Sequence, residues 1–207
     1  MQREQPATGA PESSLIFRPD SYVDRLDLAK VFVRERPLEV ELGSGDGGFL
    51  LAWAAAHPER NFLGVERFLG RLRKLDRKGR RAGLANLRLL RLEASYFLKY
   101  MLPLASVAVL HVYFPDPWPK RRHHKNRLIN AEFVQAAAGA LRLAGQVYVR
   151  TDDTDYFAQI LSAFAMQPRF ELVETPEALK GIWTDFEKEF RAQGLATLHA
   201  GWRLAAP

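Results

Sequence analysis

The sequence contains no cysteine, which excludes disulfides, thiolate nucleophiles and cysteine-ligated zinc sites together. It also lacks a run of about eighteen unbroken apolar residues, the length that a membrane-spanning helix requires. Residues Met1 to Ser14 are polar and lack the apolar core of a signal peptide. We therefore expect a disordered tail at residues 1–14, a single domain at residues 15–207, and an intracellular, cytoplasmic protein without a membrane partner.

Positive charge is in excess. The chain has 30 Lys and Arg against 24 Asp and Glu, a formal net charge of +6 and a pI near 9.7. This balance favours a polyanionic partner.

Apolar segments with strand character alternate along the chain with segments of helical spacing, which predicts a doubly wound, mostly parallel α/β sheet. The seven predicted strands are 38–42, 61–65, 87–92, 107–114, 146–150, 170–174 and 196–204. The predicted helices are 15–35, 49–56, 68–82, 96–102, 128–143, 155–166 and 178–193.

The segment Val112–Arg127 dominates the interpretation. It leaves the strand 107–114 through three prolines, Pro115, Pro117 and Pro119, which can continue neither a ladder nor a helix interior. The turn must hold Asp116 and Trp118 beyond the carboxyl end of the strand, the edge of an open α/β sheet at which ligands bind. A strongly basic run follows at 120–127. An acid beside an aromatic, backed by cations, suits a planar base on a phosphate backbone.

A glycine-rich turn follows the strand 38–42, with Gly43, Gly45 and Gly48 in the dinucleotide pattern G-x-G-x-x-G. Glu66 lies about twenty residues further on, where a ribose-binding acid belongs in either a dinucleotide or an S-adenosylmethionine site. Glu41 favours the second, because a carboxylate suits the ammonium of a methionine moiety and would repel a pyrophosphate. Glu93, at the end of the third strand, could meet the adenine amino group.

These segments resemble the bacterial tRNA (guanine-N7-)-methyltransferases, which are class I S-adenosylmethionine-dependent enzymes. The resemblance covers the chain from about Leu38 to the C-terminus. Its most specific element is the proline-rich segment 114–125, and Thr184-Asp-Phe-Glu187 supports it independently.

The resemblance implies a Rossmann-like class I fold with an antiparallel last strand, and methylation of guanine N7 in the tRNA variable loop, guanine 46 by tRNA convention. It implies S-adenosylmethionine as methyl donor, tRNA as partner and no metal, and it leaves monomer and homodimer open. The implied cofactor-binding residues are Glu41, Gly43, Gly45, Glu66, Glu93 and Asp116. Asp116 takes the catalytic position, and the implied tRNA-binding residues are Lys120, Asp152, Thr184, Asp185, Phe186 and Glu187. Glu93 departs from the family, which usually has Asp or Asn there.

Several of these residues could have a structural role instead of a functional one. Asp152 could be a helix N-cap, Thr184 and Glu187 could form a capping box, and Trp118 could either stack on the base or wall the pocket. The basic face at 71–81 could contact phosphates or only water.

Three other functions compete with guanine methylation. An NAD(P)-dependent oxidoreductase explains the glycines but not the proline-rich segment. An adenine amino-methyltransferase shares an acid-proline-aromatic turn like Asp116-Pro117-Trp118. A non-catalytic RNA-binding domain would carry the same fold without turnover.

Overall fold

A computed structural model describes residues 13–206. Its strands form one sheet in the order β1-β4-β3-β2-β5-β6-β8-β7. They are β1 (Ile16–Phe17), β2 (Leu38–Leu42), β3 (Asn61–Val65), β4 (Leu87–Leu90), β5 (Val107–Tyr113), β6 (Leu141–Thr151), β7 (Phe170–Val173) and β8 (Leu198–Leu204). Strand β8 runs antiparallel to both β6 and β7, and the remaining pairs are parallel. The predicted class and the antiparallel last strand are confirmed.

Helices cover both faces of the sheet. They are α1 (Leu28–Val31), α2 (Gly48–Ala56), α3 (Leu69–Arg81), α4 (Ala94–Tyr96), α5 (Ala131–Ala140), α6 (Thr154–Ala165), α7 (Glu177–Gly181) and α8 (Asp185–Ala192). A π-helical turn, Phe97–Met101, continues α4, and a 3₁₀ helix spans Arg121–Asn126. One buried apolar cluster includes side chains of α5 and α6, and a second includes side chains of α2, α3 and α7. Strand β5 is buried along its whole length because both faces of the sheet are covered.

The predicted helix at 15–35 is wrong, and the sheet has eight strands within residues 13–206 instead of seven. Ile16 and Phe17 pair with Leu89 and Leu90 as a short edge strand. The backbone N–H of Leu15 donates to the Asp76 carboxylate at 2.7 Å, and the Leu15 side chain is buried. Apolar spacing alone could not reveal this pairing, because a two-residue strand has no measurable period.

Two other predicted helices have different bounds. The predicted helix 128–143 ends at Ala140 and β6 begins at Leu141, because Leu141 and residues 146–150 pair with β5 and residues 146–151 pair with β8. The segment 178–193 is divided into α7 and α8, with a break at Thr184. Of the disordered tail that we expect at residues 1–14, residues 1–12 lie outside the described part of the chain. The Ser14 hydroxyl donates to the Asp76 carboxylate at 3.1 Å. No helix in residues 13–206 is both long and apolar enough to cross a membrane.

Candidate active site

The glycine turn leaves β2 and enters α2 with left-handed backbone at three glycines, Gly43 (φ 84°), Gly45 (φ 54°) and Gly47 (φ 84°). Non-glycine residues adopt this region at a cost, so the turn needs glycine at these positions. The backbone N–H groups of Gly43 and Ser44 both donate to the Val65 carbonyl, at 2.8 and 3.0 Å. The turn is therefore tied to the carboxyl end of β3.

Glu66, directly after β3, braces this turn. One carboxylate oxygen accepts from the Gly45 N–H at 3.0 Å and the other from the Phe68 N–H at 2.8 Å. The side chain is buried at the sheet edge, as expected for a ribose-binding acid. Each carboxylate oxygen has a second acceptor site, so these bonds leave capacity for ribose hydroxyls.

Glu41 is the second buried acid of the cleft. Its Oε2 is shielded from solvent and has no hydrogen-bond partner among the described residues. Burial raises the pKa of Glu41 well above its usual value, the charges of Glu66 and Asp185 add to the rise, and Arg150 opposes it. A carboxylate left in this state needs a cation, since a buried unpaired charge is costly. Together with the glycine cradle, this fits a ligand that carries an ammonium group.

Glu93 lies in the same cleft but caps α4. Its two oxygens accept from the Ser95 N–H at 2.9 Å and the Tyr96 N–H at 2.8 Å. Both carboxylate oxygens of Glu93 are thus used in capping the helix. The adenine contact of Glu93 stays a prediction.

Asp116 follows β5 across a kink at Phe114 (φ 51°), and its side chain is 72% exposed. The carboxylate faces Arg67, whose Nη2 lies 3.8 Å from Oδ2. Trp118 also has left-handed backbone (φ 46°) and meets the His123 ring edge-on at 5.8 Å. The proline-rich turn thus presents an acid and an indole at the rim of the sheet, as the sequence predicted.

One cleft of about 770 Å³ brings most of the predicted residues together, within the range typical of small-molecule sites. Its lining includes Glu41, Gly43, Gly45, Glu66, Glu93, Asp116, Thr184, Asp185 and Phe186. Lys120, Asp152 and Glu187 are not part of this lining. Lys120 and Asp152 are exposed, and it is Asp153 that caps α6, accepting from the Tyr156 N–H at 2.7 Å.

The segment Thr184–Glu187 forms only half of a capping box. The Thr184 hydroxyl accepts from the Glu187 N–H at 3.0 Å and begins α8. The Glu187 carboxylate, which would close the box, instead pairs with Arg150 at 2.8 Å. Arg150 also donates to the carbonyls of Leu179 and Ile182, so its guanidinium fixes the connection between α7 and α8.

Asp185 lies against the glycine turn. A Cβ on Gly48 would stand 2.6 Å from Asp185 Oδ1 and 3.0 Å from its backbone nitrogen. The start of α8 is therefore a wall of the cleft, and Gly48 is needed for this close approach.

Sequence reasoning missed a buried polar chain beneath the cleft. The Glu39 carboxylate accepts from Trp53 Nε1 at 2.7 Å and pairs with His111 Nε2 at 2.8 Å, and it also contacts Arg60. His111 Nδ1 lies 2.8 Å from the Tyr113 hydroxyl. The signal in the sequence is that Glu39 and His111 are polar residues within strands made mostly of apolar residues.

A solved structure of the 16S rRNA methyltransferase KamB superimposes on this chain with a TM-score of 0.62 at 16% identity, covering 88% of this chain and 95% of that one. This likeness shows the fold. No group of three or more His, Asp or Glu residues that could hold a metal ion occurs in residues 13–206. The sheet has the fold of the class I S-adenosylmethionine-dependent methyltransferases.

Relatives found by sequence identify the family to which the chain belongs. A family described as "Putative methyltransferase" matches residues 35–200. A tRNA (guanine-N(7)-)-methyltransferase of Sodalis glossinidius is 38% identical over 190 residues, covering 89% of this chain and 78% of that protein. One of Thermotoga maritima is 33% identical over 173 residues, covering 83% of this chain and 55% of that protein. The chain therefore spans little more than half the length of the Thermotoga relative. The chain belongs to the tRNA (guanine-N(7)-)-methyltransferase family.

Proposed function

We propose that this protein methylates N7 of a guanine in the variable loop of tRNA, guanine 46 by tRNA convention, with S-adenosylmethionine as donor. The observation that carries the proposal is that Asp116 shares one cleft with Glu41, Glu66 and the glycine turn. The family relationship supports the choice of base and RNA. Action on tRNA also makes the cytoplasm the expected compartment.

The cofactor end of the cleft is built for a cationic nucleoside. When bound, S-adenosylmethionine supplies an electrophilic methyl group. Glu41 would receive its ammonium, Glu66 its ribose hydroxyls and the glycine turn its backbone contacts. The charge of Asp185, which acts on the buried Glu41, adds to the negative potential there. NAD(P) fits poorly, because its pyrophosphate would have to lie beside these acids.

Asp116 is the residue that we assign to the guanine. Guanine N7 has an in-plane lone pair and no proton, so no general base is required. Asp116 can accept hydrogen bonds from the guanine N1–H and exocyclic amine, a donor pair that adenine lacks. Its negative charge also favours the cationic character that the purine gains on N7 methylation. Asp116 therefore both selects and orients the base.

The remaining residues predicted to bind tRNA fall into three groups according to their position in the structure. Lys120 and Asp152 are exposed outside the cleft, which suits contacts with RNA away from the methylated base. Thr184, Asp185 and Phe186 reach the cleft itself. Glu187 is completely buried, so we assign it the support of these residues through its pair with Arg150.

Mass spectrometry of nucleosides provides the test. Unmodified tRNA transcript is incubated with protein and S-adenosylmethionine and digested, and 7-methylguanosine is expected only with active protein. Detection of N6-methyladenosine without 7-methylguanosine would establish the adenine amino-methyltransferase instead. Absence of both products, with tight NAD binding and no response to S-adenosylhomocysteine in calorimetry, would favour the oxidoreductase. The matched control is the same assay with Asp116→Ala.

A further inference from the structure

The exposed face of α3 is entirely cationic. The buried residues of this helix, Leu72, Leu75, Asp76 and Gly79, share one side. At about 100° per residue, its exposed basic side chains occupy the opposite half of the circumference. These side chains are Arg71, Arg73, Lys74, Arg77, Lys78 and Arg81.

No acid interrupts this face. Asp76, the one acidic residue of α3, is buried and accepts from the backbone of Leu15 and the side chain of Arg80. Like charges four residues apart, such as Arg73 with Arg77 and Arg77 with Arg81, destabilise a helix. The helix dipole favours cations only in the last turn and cannot account for Arg71 or Arg73. The stability of the helix therefore does not explain the charge pattern.

Contacts inside the protein account for part of this face only. Lys74 Nζ lies 3.3 Å from the Asp46 carboxylate, and Lys78 donates to the Asp46 carbonyl at 3.0 Å. Within residues 13–206, no carboxylate comes within 4.0 Å of the charged groups of Arg73, Arg77 or Arg81. In this part of the chain no acid occupies these guanidinium groups, and their planar forks match phosphate.

The face is continuous with the active-site cleft. Arg67 and Arg71 line the cleft at the start of α3, and Arg67 lies beside Asp116. From Arg71 to Arg81 the helix rises about 15 Å, enough to follow several consecutive phosphates. A nucleotide placed at Asp116 would thus have a cationic path leading away from it.

We infer that the exposed face of α3 binds the sugar-phosphate backbone of the RNA segment flanking the target nucleotide. The inference rests on the proposed function for the position of that nucleotide. It assigns RNA contacts to Arg77 and Arg81, which lie outside the cleft lining and outside the segments that carry the family resemblance.

The test is the salt dependence of tRNA binding, measured by fluorescence anisotropy with S-adenosylhomocysteine present. Each lost phosphate contact should make the slope of log K against log salt shallower by about 0.7 to 0.9. Arg77→Gln/Arg81→Gln should therefore make this slope shallower by about 1.5. Arg77→Lys/Arg81→Lys keeps both positive charges and should keep the slope near the wild-type value. The matched control is Arg34→Gln/Arg142→Gln, which removes two exposed arginines near the opposite, amino-terminal ends of β2 and β6.

An unchanged slope in Arg77→Gln/Arg81→Gln would overturn the inference. So would an equal decrease in Arg34→Gln/Arg142→Gln, because net charge would then explain both results. The proposed function is tested separately, because it fails if wild-type protein yields no 7-methylguanosine. In that case the salt slopes would still show whether α3 binds RNA.

Discussion

Arg150 and Glu187 form an ion pair of 2.8 Å in which both side chains are almost completely removed from solvent. The pair joins the end of β6 to the first turn of α8, and the guanidinium lies 4.2 Å from the centroid of the Tyr113 ring. Because Tyr113, Thr184 and Asp185 all line the cleft, this pair positions one wall of the active site. Glu187 is thus within the predicted tRNA-binding motif but inaccessible to RNA.

Replacing Arg150 by Met should lower the free energy of unfolding by about 3 kcal/mol, because the buried Glu187 would be left with the half-exposed Arg191, 3.6 Å away, as its cationic partner. Urea unfolding monitored by circular dichroism measures the loss. The double variant Arg150→Met/Glu187→Leu removes both charges and should recover part of it. A single variant within about 0.5 kcal/mol of wild type would show that the pair contributes little.

Gly48→Ala should impair S-adenosylhomocysteine binding, because the new Cβ would overlap Asp185 Oδ1 at 2.6 Å and crowd the Asp185 backbone at 3.0 Å. The start of α8 must then move away from the cofactor cleft. Gly70→Ala is the matched control, since nothing lies within 4 Å of its Cβ position, and Ala should stabilise α3 by up to about 1 kcal/mol. Calorimetric affinities that are equal in the two variants would contradict this account of Gly48.

The position of the glycine turn, Glu66 and Asp116 at one edge of the sheet could be predicted, because each follows a strand that the sequence predicts. Glycines after a short apolar strand predict a turn, and acids at strand ends meet at one sheet edge whatever the loops between them do. Prolines around Asp116 restrict its backbone in any fold. These parts of the site needed no knowledge of distant contacts.

The partners of Glu187 and Glu39 could not be predicted, because they are set by tertiary packing. Arg150 and Glu187 are 37 residues apart, and Glu39 and His111 are 72 residues apart. An arginine at a strand end is ordinarily exposed, so the sequence gives no reason to bury Arg150. The predicted helix at 15–35 was wrong for the same kind of reason, since its first residues pair with β4.

Glu41 should make the stability of the ligand-free protein fall as pH rises. Its pKa is raised in the folded state, chiefly by burial, so the folded protein binds more protons than the unfolded chain above about pH 4.5. The contribution of Glu41 is therefore fully present below its unfolded pKa and is lost as pH rises through the folded pKa. Glu41→Gln lacks this titration and should gain stability relative to wild type over that interval. Parallel stability curves for the two proteins, from urea unfolding at a series of pH values, would contradict the assignment.

Glu39 should have the opposite pH dependence. Burial alone would raise the pKa of Glu39, but hydrogen bonds from His111, Arg60 and Trp53 and the charge of His111 outweigh it and lower the pKa to about 2. A decrease from 4.5 to about 2 corresponds to about 3 kcal/mol of stability, present above the unfolded pKa and lost as pH falls towards 2. Glu39→Gln should lose stability of that order at neutral pH. Its deficit should shrink in acid, and a deficit independent of pH would assign the loss to packing.

Asp116→Ala should reduce turnover by about 10²- to 10³-fold, because one preorganised electrostatic contact to the base is removed. The side chain is 72% exposed and its nearest cation, Arg67, is 3.8 Å away, so stability should stay within about 0.5 kcal/mol of wild type. S-adenosylhomocysteine affinity should change little, since the buried acids Glu41 and Glu66 remain. Asp20→Ala, which removes another highly exposed acid that lies outside the cleft lining, is the control for a loss of surface charge. Single-turnover methylation of tRNA, with calorimetry for the cofactor product, separates the two effects. Full turnover in Asp116→Ala would remove Asp116 from the catalytic position, whereas a joint loss of turnover and cofactor affinity would make it a cofactor-binding residue.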